Sequence, residues 1–598
     1  MVRLIATTNC HFLSLLLLFG TAFGFYETSP NIIVFMADDL GWNDVGFHGS
    51  NQIPTPNIDA LAYNGIILNR HYVLPSSTPS RAAFFTGKYP MHMGMQGDDI
   101  QGGEPRGLPL NVKILPEYLR ALGYTTKLIG KWHLGYHTPQ HTPIHRGFDS
   151  FLGFYNSHVS YYDYKYSYQN MSGYDMHRGD APAYGLTDKY ITDLFTDEAV
   201  RIIQSHDRSQ PLYLQISHLA VHAPLESPQD YNQYDRQFMH IREANRRKYA
   251  RMVSKLDESV GRVVQTLGNR GLLRNSVIVF LTDNGAAPIG KFRNYGSNYP
   301  LRGMKYTLYE GGVRGVAVLW SPRLLKAARV CDNLVHVTDW LPTLYAVADG
   351  DLKDLGEIDG MNQWPMLKDG YPIVRDKLLL NIDEISKTEG AIYKQYKLLR
   401  GSIEEGYYDG HYRDYDIPLP PYYYSPTYND SRKYAQENMT YTTTILKSTV
   451  SESITYHLGG PVTQPSTINQ LRHEATVTCH RLFNSTFSRN QFVTCNVTEC
   501  LFDIESDPCE TKNIVEQYPR IARELDQFLE QYGRNVTVQI KPPVDWLADP
   551  RRTNNTWEPW IPSVDTFYPY NAAVQLAGLA YYLHIGIVLI AVLCKSFV

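Results

Sequence analysis

The chain has 598 residues, of which 43% are hydrophobic and 19% are charged, and its formal net charge is −4. This composition is that of a globular protein with enough apolar residues for two or three domains. The small net charge excludes a generally basic, nucleic-acid-binding surface, so a polyanionic partner would need a local basic site.

The first 24 residues have the pattern of a secretory signal peptide. Arg3 supplies a positive charge, residues 12–19 form an apolar run, and Ala22-Phe23-Gly24 offers small residues for cleavage. The apolar run is too short to span a membrane. Seven Asn-x-Ser/Thr sequons agree with a secretory-pathway glycoprotein, lysosomal, extracellular or at the cell surface. They begin at Asn170, Asn429, Asn438, Asn484, Asn496, Asn535 and Asn554.

Four strand-like runs in the region 28–370 are each followed by a polar cluster. Their near-continuous apolar character predicts burial on both faces, hence a mostly parallel, doubly wound α/β sheet covered by helices. Helical patterns at 115–122 and 249–267 fit this class, and ligands in such folds lie beyond the carboxyl ends of the strands. The runs are 31–36, 125–129, 212–216 and 276–281.

A second, smaller domain is predicted over 371–545. Residues 391–399 have the pattern of one strand, and residues 514–532 that of an amphipathic helix. Residues 404–470 are rich in Tyr, Pro, Ser and Thr, which is typical of a long loop or insertion. The sequence has no internal repeat.

The cysteines favour local disulfides in the second domain. Cys10 lies within the signal, and four of the remaining six cysteines fall between 479 and 509. Zinc is the alternative, although no histidine lies at ligand spacing within the cluster. The pairing stays open from sequence. The six are Cys331, Cys479, Cys495, Cys500, Cys509 and Cys594.

The tail, 546–598, contains an apolar stretch at 576–594 that follows the small residues Asn571-Ala572-Ala573. Three interpretations stay open for this stretch: a GPI-attachment signal, a single membrane span, and a buried C-terminal helix. The first two would anchor the protein to a membrane.

Two acidic pairs point to a metal ion. Asp38-Asp39 and Asp283-Asn284 each follow a predicted buried strand. Their charges would repel one another if the strand ends meet, and a divalent cation resolves that repulsion. Three carboxylates and an amide suit Ca²⁺, with Mg²⁺ as the alternative.

Two long motifs connect these features to a known family. Residues 77–87, STPSRAAFFTG, resemble the signature of type I sulfatases, and residues 123–133, GYTTKLIGKWH, resemble the second signature of that family. Residues 300–305 and 309–314 look like the arylsulfatase B (N-acetylgalactosamine-4-sulfatase) branch. The resemblance covers about 30–350, and it implies an alkaline-phosphatase-like α/β domain followed by a smaller α+β domain.

The resemblance also implies roles for individual residues. Arg81 would stabilise the nucleophile at position 77, and Lys131 and His133 would surround the nucleophile and the sulfate. His222 and Lys305 would face the ester oxygen, with His222 as the general acid. His137, His141 and His145 match no motif and are predicted to be surface residues. The implied metal ligands are Asp38, Asp39, Ser77, Asp283 and Asn284.

Position 77 departs from the animal pattern. Animal members carry Cys there, which is oxidised to formylglycine, whereas this chain has Ser77. Formylglycine forms a geminal diol with two hydroxyls, but serine has one and lacks the internal route for releasing sulfate. The family's cysteine partner near position 100 is also missing, because residues 98–109 contain no Cys.

Three functions therefore remain open. The expected function is hydrolysis of sulfate esters, from a sulfated glycan or an aryl sulfate, most like removal of the 4-sulfate of N-acetylgalactosamine in dermatan or chondroitin sulfate. The alternatives are a sulfated-glycan-binding pseudoenzyme and a phosphatase or phosphodiesterase with Ser77 as an unmodified nucleophile. No nucleic acid partner is expected, and the oligomeric state stays open.

Overall fold

The structure is a computed structural model that describes residues 29–229, 237–371, 375–412, 431–460, 463–479, 495 and 499–562. The predicted signal peptide and the apolar stretch 576–594 lie outside these residues. Within them, no helix is both long enough and apolar enough to cross a membrane.

A ten-stranded sheet forms the centre of the larger part of the chain. Its central strands run parallel, and antiparallel strands join at both edges. The strands of this sheet are β1 (Asn31–Ala37), β2 (Ile66–Leu68), β4 (Thr125–Lys131), β5 (Ser150–Phe154), β8 (His177–Arg178), β9 (Ala181–Pro182), β10 (Leu212–Ser217), β11 (Ser276–Thr282), β12 (Ala317–Trp320) and β13 (Arg329–Cys331). Their order is β13-β2-β12-β11-β1-β10-β4-β5-β8-β9.

Helices cover both faces of this sheet, as the apolar strands require. Every residue of β1, β10 and β11 is buried, because helices pack on both sides of these central strands. The predicted mostly parallel α/β fold is thus confirmed. The helices of this region are α1 (Pro56–Asn64), α2 (Ser77–Thr86), α3 (Leu115–Ala121), α4 (Ile191–Ser205), α5 (Ala244–Asn269), α6 (Glu310–Val313), α7 (Trp340–Val347) and α8 (Trp364–Asp369).

The segment predicted to be a loop, 404–470, contains helices. α9 (Ser431–Leu446), α10 (Thr449–Leu458) and α11 (Pro465–Ala475) pack on the large domain, and Val450, Ile468 and other apolar residues join its core. The loop prediction was wrong here because Thr, Ser and Tyr have low helix propensity, which burial of an apolar face overrides.

A four-stranded antiparallel sheet forms the smaller domain. Residues 391–399, predicted to be one strand, contain the turn of a hairpin between β16 (Thr388–Tyr393) and β17 (Tyr396–Arg400). The sheet is completed by β15 (Lys377–Asp383) and β18 (Cys500–Asp503), and the predicted amphipathic helix is present as α12 (Pro519–Gly533). The remaining described strands form two separate pairs, β3 (His71–Tyr72) with β14 (Val335–His336) and β6 (Lys165–Tyr168) with β7 (Met171–Tyr174).

The small sheet buries both of its faces. Leu378 and Leu380 of β15 pack with Tyr309 and Val313 of the large domain, whereas Leu379 packs against helix α12. Alternate residues of a strand point to opposite faces, so β15 links the two domains through a continuous apolar contact.

The four cysteines between 479 and 509 form two disulfides, Cys479–Cys509 and Cys495–Cys500. The prediction of local disulfides is confirmed. Cys331 is buried and outside any disulfide in the described part of the chain.

A buried ion cluster joins the domains. Lys397 of β17 lies with its Nζ 2.8 Å from Glu310 of α6 and 2.8 Å from Glu510, and none of the three side chains is exposed. The Glu510 carboxylate also accepts a hydrogen bond from the Glu310 amide at 2.8 Å. One lysine therefore serves two carboxylates. Burial, aided by the Glu310 charge and opposed by Lys397, raises the pKa of Glu510 to about 7.

The raised pKa of Glu510 predicts that the buried contact between the two domains is more stable at acidic pH. Glu510 binds a proton more tightly in the folded protein than at its ordinary pKa of 4.5. The contribution of this proton binding to the free energy of unfolding is fully present below about pH 4.5 and is lost as the pH rises through 7. Glu510→Gln should flatten the pH dependence of the free energy of unfolding by up to about 1.4 kcal/mol per pH unit in that window.

Urea unfolding at several pH values between 4.5 and 7.5 measures this slope, with exposed Glu516→Gln as the matched control. Equal slopes for Glu510→Gln and the wild type would contradict the assignment.

Candidate active site

The predicted site residues lie at the carboxyl ends of four neighbouring central strands. Asp38 and Asp39 follow β1, Lys131 ends β4, His222 follows β10, and Asp283 follows β11. Since these strands run parallel side by side, their carboxyl ends meet at one edge of the sheet. The backbone carries strain at this edge, because Asp39 and His133 have φ of 58° and 56°, a region that few non-glycine residues adopt.

Helix α2 brings the nucleophile position to the same edge. Ser77 is the first residue of α2, and Arg81 lies on the same face one turn later. The helix ends at Gly87, whose φ of 65° allows its amide to bond the Ala83 carbonyl. The spacing from Ser77 to the closing Thr-Gly of the motif is thus the length of this helix.

Ser77 Oγ lies among the oxygens predicted to bind a metal. It is 3.2 Å from Asp38 Oδ1, 3.2 Å from Asn284 Oδ1 and 3.2 Å from Lys131 Nζ. Ser77 has no exposed surface. A hydroxyl in this position contacts both acceptor oxygens and a cationic donor.

Each carboxylate of the site forms a close ion pair with a lysine or arginine side chain. Lys131 Nζ is 2.7 Å from Asp38, Lys305 Nζ is 2.7 Å from Asp39, and Arg81 Nη2 is 2.8 Å from Asp283. All six side chains are buried. Burial raises the pKa of Asp39 although Lys305 opposes this, and burial lowers the pKa of Lys131 despite its contact with Asp38. For Lys305 the opposite holds: burial alone would lower its pKa, but Asp39 raises it well above the ordinary value.

The oxygens of the site fit a hard divalent cation. The single hydrogen of Ser77 Oγ cannot satisfy both Asp38 Oδ1 and Asn284 Oδ1, and the buried Asp39 Oδ2 accepts no hydrogen bond from any residue that the structure describes. Asp283 Oδ1 lies 3.3 Å from the Asp39 amide, so the second acidic pair reaches the first. Such crowding of acceptor oxygens is what bound Ca²⁺ or Mg²⁺ relieves. Asp38, Asp39 and His222 also offer ligand atoms that lie within 4.8 Å of one another.

The two site histidines are held by backbone carbonyls. His133 Nε2 lies 3.0 Å from the Ile100 carbonyl oxygen, and His222 Nδ1 contacts the Ala223 carbonyl, while His222 Nε2 is 3.6 Å from Asp39. Burial first, and then the neighbouring lysines, lowers the pKa of both imidazoles well below the ordinary value. This shift favours the neutral form of the His222 imidazole in the free site.

Of the three histidines predicted to lie on the surface, His141 is buried, His137 is half-buried and His145 is exposed. His141 was assigned wrongly because a turn folds it back onto Thr138, whose hydroxyl lies 2.7 Å from its Nδ1.

Two residues beside the site were not predicted from the sequence. The imidazole of His158 stacks on that of His222 with ring centroids 5.2 Å apart. Asp99 Oδ1 accepts the amide of Thr78, 2.8 Å away, at the start of α2. Neither lies in a motif or at the end of a predicted strand, so the sequence carries no signal for them.

The fold and this buried strand-end site define an alkaline-phosphatase-like α/β protein. The family model described as Sulfatase matches residues 30–350. Arylsulfatase J of Mus musculus is 33% identical over 543 residues, covering 89% of this chain and 80% of that protein. The N-acetylgalactosamine-6-sulfatase of the same species is 34% identical over 361 residues, covering 58% of this chain and 68% of that protein.

Solved structures agree on the fold. Ps i-CgsB in complex with k-i-k-neocarrahexaose has a TM-score of 0.65 at 24% identity and covers 86% of this chain and 96% of its own. PsFucS1 sulfatase from Pseudoalteromonas sp. has a TM-score of 0.59 at 21% identity, with 86% and 92% coverage. The chain belongs to the sulfatase family.

The metal site can be tested by stability. If the oxygens bind Ca²⁺, millimolar Ca²⁺ should raise the melting temperature of the wild type. A hundredfold excess of Ca²⁺ over Kd should add about 2.7 kcal/mol to the free energy of unfolding. Asp283→Asn should strongly reduce the Ca²⁺-dependent increase, because it removes one of the three carboxylate charges that would attract the cation. Differential scanning calorimetry with Ca²⁺ and with a chelator gives the measurement.

The matched control is Asp163→Asn, which changes an exposed aspartate and should keep the full Ca²⁺ effect. A wild type that neither Ca²⁺ nor Mg²⁺ stabilises would refute the metal site.

Proposed function

We propose that the protein hydrolyses sulfate esters by attack of the side chain at position 77 on the ester sulfur. One observation carries the proposal: Ser77 Oγ lies at 3.2 Å from each of Asp38, Asn284 and Lys131, at the carboxyl ends of the central strands. The hydroxyl is therefore placed among cationic and metal-binding groups, as attack on an anionic ester requires.

The surrounding bases would hold the sulfate group. Lys131, Lys305 and Arg81 bring three positive charges to one buried point, and entry of an anionic ester shifts them from their carboxylate partners towards the ester oxygens. A divalent cation, Ca²⁺ or Mg²⁺, would be held by the oxygens of Asp38, Asp39, Asp283 and Asn284. When bound, that cation supplies Lewis-acid charge that screens the ester and favours the ionised nucleophile.

The bond changes follow from these positions. The Ser77 hydroxyl gives its proton to Asp38, whose Oδ1 lies 3.2 Å away, as the Ser77 Oγ–S bond forms and the bond between sulfur and the sugar oxygen breaks. The leaving oxygen takes a proton from Lys305 or from a protonated His222. Water then attacks the sulfur of the sulfated serine, the Oγ–S bond breaks, sulfate leaves and Ser77 Oγ takes a proton back. A formylglycine at position 77 would replace this second attack by elimination from its other hydroxyl.

The proposed substrate is a sulfated glycan, specifically the 4-sulfate of N-acetylgalactosamine in chondroitin or dermatan sulfate. The 4-position rests on the likeness of 300–305 and 309–314 to the arylsulfatase B branch, and the hexosamine is shared with the relative named N-acetylgalactosamine-6-sulfatase. Assay of 4-sulfated and 6-sulfated disaccharides side by side decides between the two positions. We also propose passage through the secretory pathway, from the pattern of residues 1–24.

The identity of the nucleophile gives the main test. Ser77→Cys, produced in an animal cell that makes formylglycine, should turn over an aryl sulfate at least about tenfold faster than the wild type, because the second hydroxyl opens the route to sulfate release. The wild type should be slow and should accumulate an adduct about 80 Da heavier on the peptide containing Ser77, the mass of SO₃. Steady-state assays and peptide mass spectrometry measure both effects.

Ser76→Cys is the matched control, because it puts a thiol one residue before the site, at the N-cap of α2. Equal inactivity of Ser77→Cys and the wild type on every sulfate ester would overturn the proposal in favour of a glycan-binding protein. Rapid turnover of aryl phosphates by the wild type would favour the phosphatase alternative.

A further inference from the structure

A cavity of about 710 Å³ opens beside the buried site. This volume lies within the range of about 300–1,000 Å³ that is usual for small-molecule sites. Its walls come from segments far apart in the sequence: 98–106, 168–169, 291–306 and 541–546. We call this cavity the outer cleft.

Three contacts connect the outer cleft with the candidate active site. Asp99 of the cleft wall accepts the amide of Thr78, the residue after the nucleophile position. The ring of Phe292 lies 5.6 Å from that of His222, and the ring of Tyr306 lies 5.5 Å from Lys305 Nζ. A sugar that presents its sulfate to Ser77 would thus place its neighbouring saccharide unit in the outer cleft.

Most charges of the outer cleft are already neutralised. Lys541 Nζ is 2.7 Å from Asp98, and Arg106 Nε is 2.6 Å from Glu104. Lys291 is exposed and, among the described residues, its ammonium group contacts the Phe292 ring at 5.1 Å and no carboxylate. Among the described residues the cleft therefore offers one ammonium group outside an ion pair, that of Lys291, and one carboxylate outside an ion pair, that of Asp99, which accepts the Thr78 amide. The Lys291 ammonium group can pair with one anionic group on a ligand, whereas the balanced charges of the cleft do not favour a dense polyanion.

Trp546 gives the cleft an exposed aromatic face in a fixed position. Its side chain is 51% exposed, yet the turn that carries it is anchored on both sides. Asp545 accepts the Leu547 amide at 3.0 Å and the Trp560 indole at 2.9 Å, and its own amide donates to Gly103 at 2.7 Å. An aromatic ring that is held in a fixed position with half of its surface in solvent is available to stack on a ligand.

We propose that the outer cleft binds the saccharide unit next to the sulfated sugar, with Trp546 against the apolar face of a pyranose ring and Lys291 paired with a carboxylate. The ligand class is an acidic oligosaccharide in which a hexuronate adjoins a hexosamine. The proposal rests on the proposed function for the position of the sulfated sugar, and its own contacts need no sulfate ester.

The test uses a probe without sulfate, an unsulfated chondroitin tetrasaccharide that alternates glucuronate and N-acetylgalactosamine. Calorimetric titration of the full chain should show binding, with Trp546→Ala weakening Kd at least about tenfold and Lys291→Ala at least about fivefold. The Lys291→Ala effect should disappear with the carboxyl-reduced tetrasaccharide, since that ligand has no carboxylate to pair with.

Two control variants match these changes. Leu547→Ala removes an exposed apolar side chain next to Trp546, and Arg293→Ala removes an exposed base two residues from Lys291, and neither residue lines the cavity. Both controls should bind the tetrasaccharide with the wild-type Kd.

Absence of binding by the wild type at millimolar tetrasaccharide would overturn the subsite. Equal loss in Trp546→Ala and Leu547→Ala would overturn it as well. Binding with the expected pattern, together with inactive Ser77→Cys, would sustain the subsite and reject only the hydrolytic function, because the probe carries no ester.

Discussion

Burial of six charged side chains at one edge of the sheet is the constraint on which the rest of the structure depends. Asp38, Asp39 and Asp283 are each matched by one of Lys131, Lys305 and Arg81, at 2.7–2.8 Å. Removing one partner would leave a buried charge uncompensated, which typically costs several kcal/mol. The fold must therefore bring the ends of β1, β4 and β11, helix α2 and the loop that carries Lys305 to one point before these buried charges compensate one another.

This constraint explains which parts of the molecule the sequence predicts well. The central strands are recognisable because burial on both faces leaves an unbroken apolar run, and the polar residues after them can only lie at the sheet edge. The motif around Ser77 is equally readable, since a helix of fixed length carries Ser77 and Arg81 on one face. Both signals are local in the chain.

The features that sequence could not predict depend on distant partners or on local turns that no glycine or proline signals. Helices α9–α11 have weak propensities and exist because α1, α5 and the large core bury their apolar residues. The hairpin of β16 and β17 turns at Lys394, whose φ of 56° is not signalled by a glycine. His141 is buried by a local turn, and the outer cleft is formed by segments about four hundred residues apart. Neither feature can be predicted from the hydrophobic periodicity or the motif spacing of the sequence.

The far end of the described chain supplies one wall of the outer cleft, and this has a consequence for biosynthesis. The ribosome makes the sheet, α2 and their paired charges long before Lys541 and Trp546 emerge. A nascent chain can thus bring the charged residues of the candidate site together while one wall of the outer cleft is still missing. Chains cut short before residue 541 would keep those paired charges and lose the wall that carries Lys541 and Trp546, so the proposed saccharide subsite is the last part that synthesis adds.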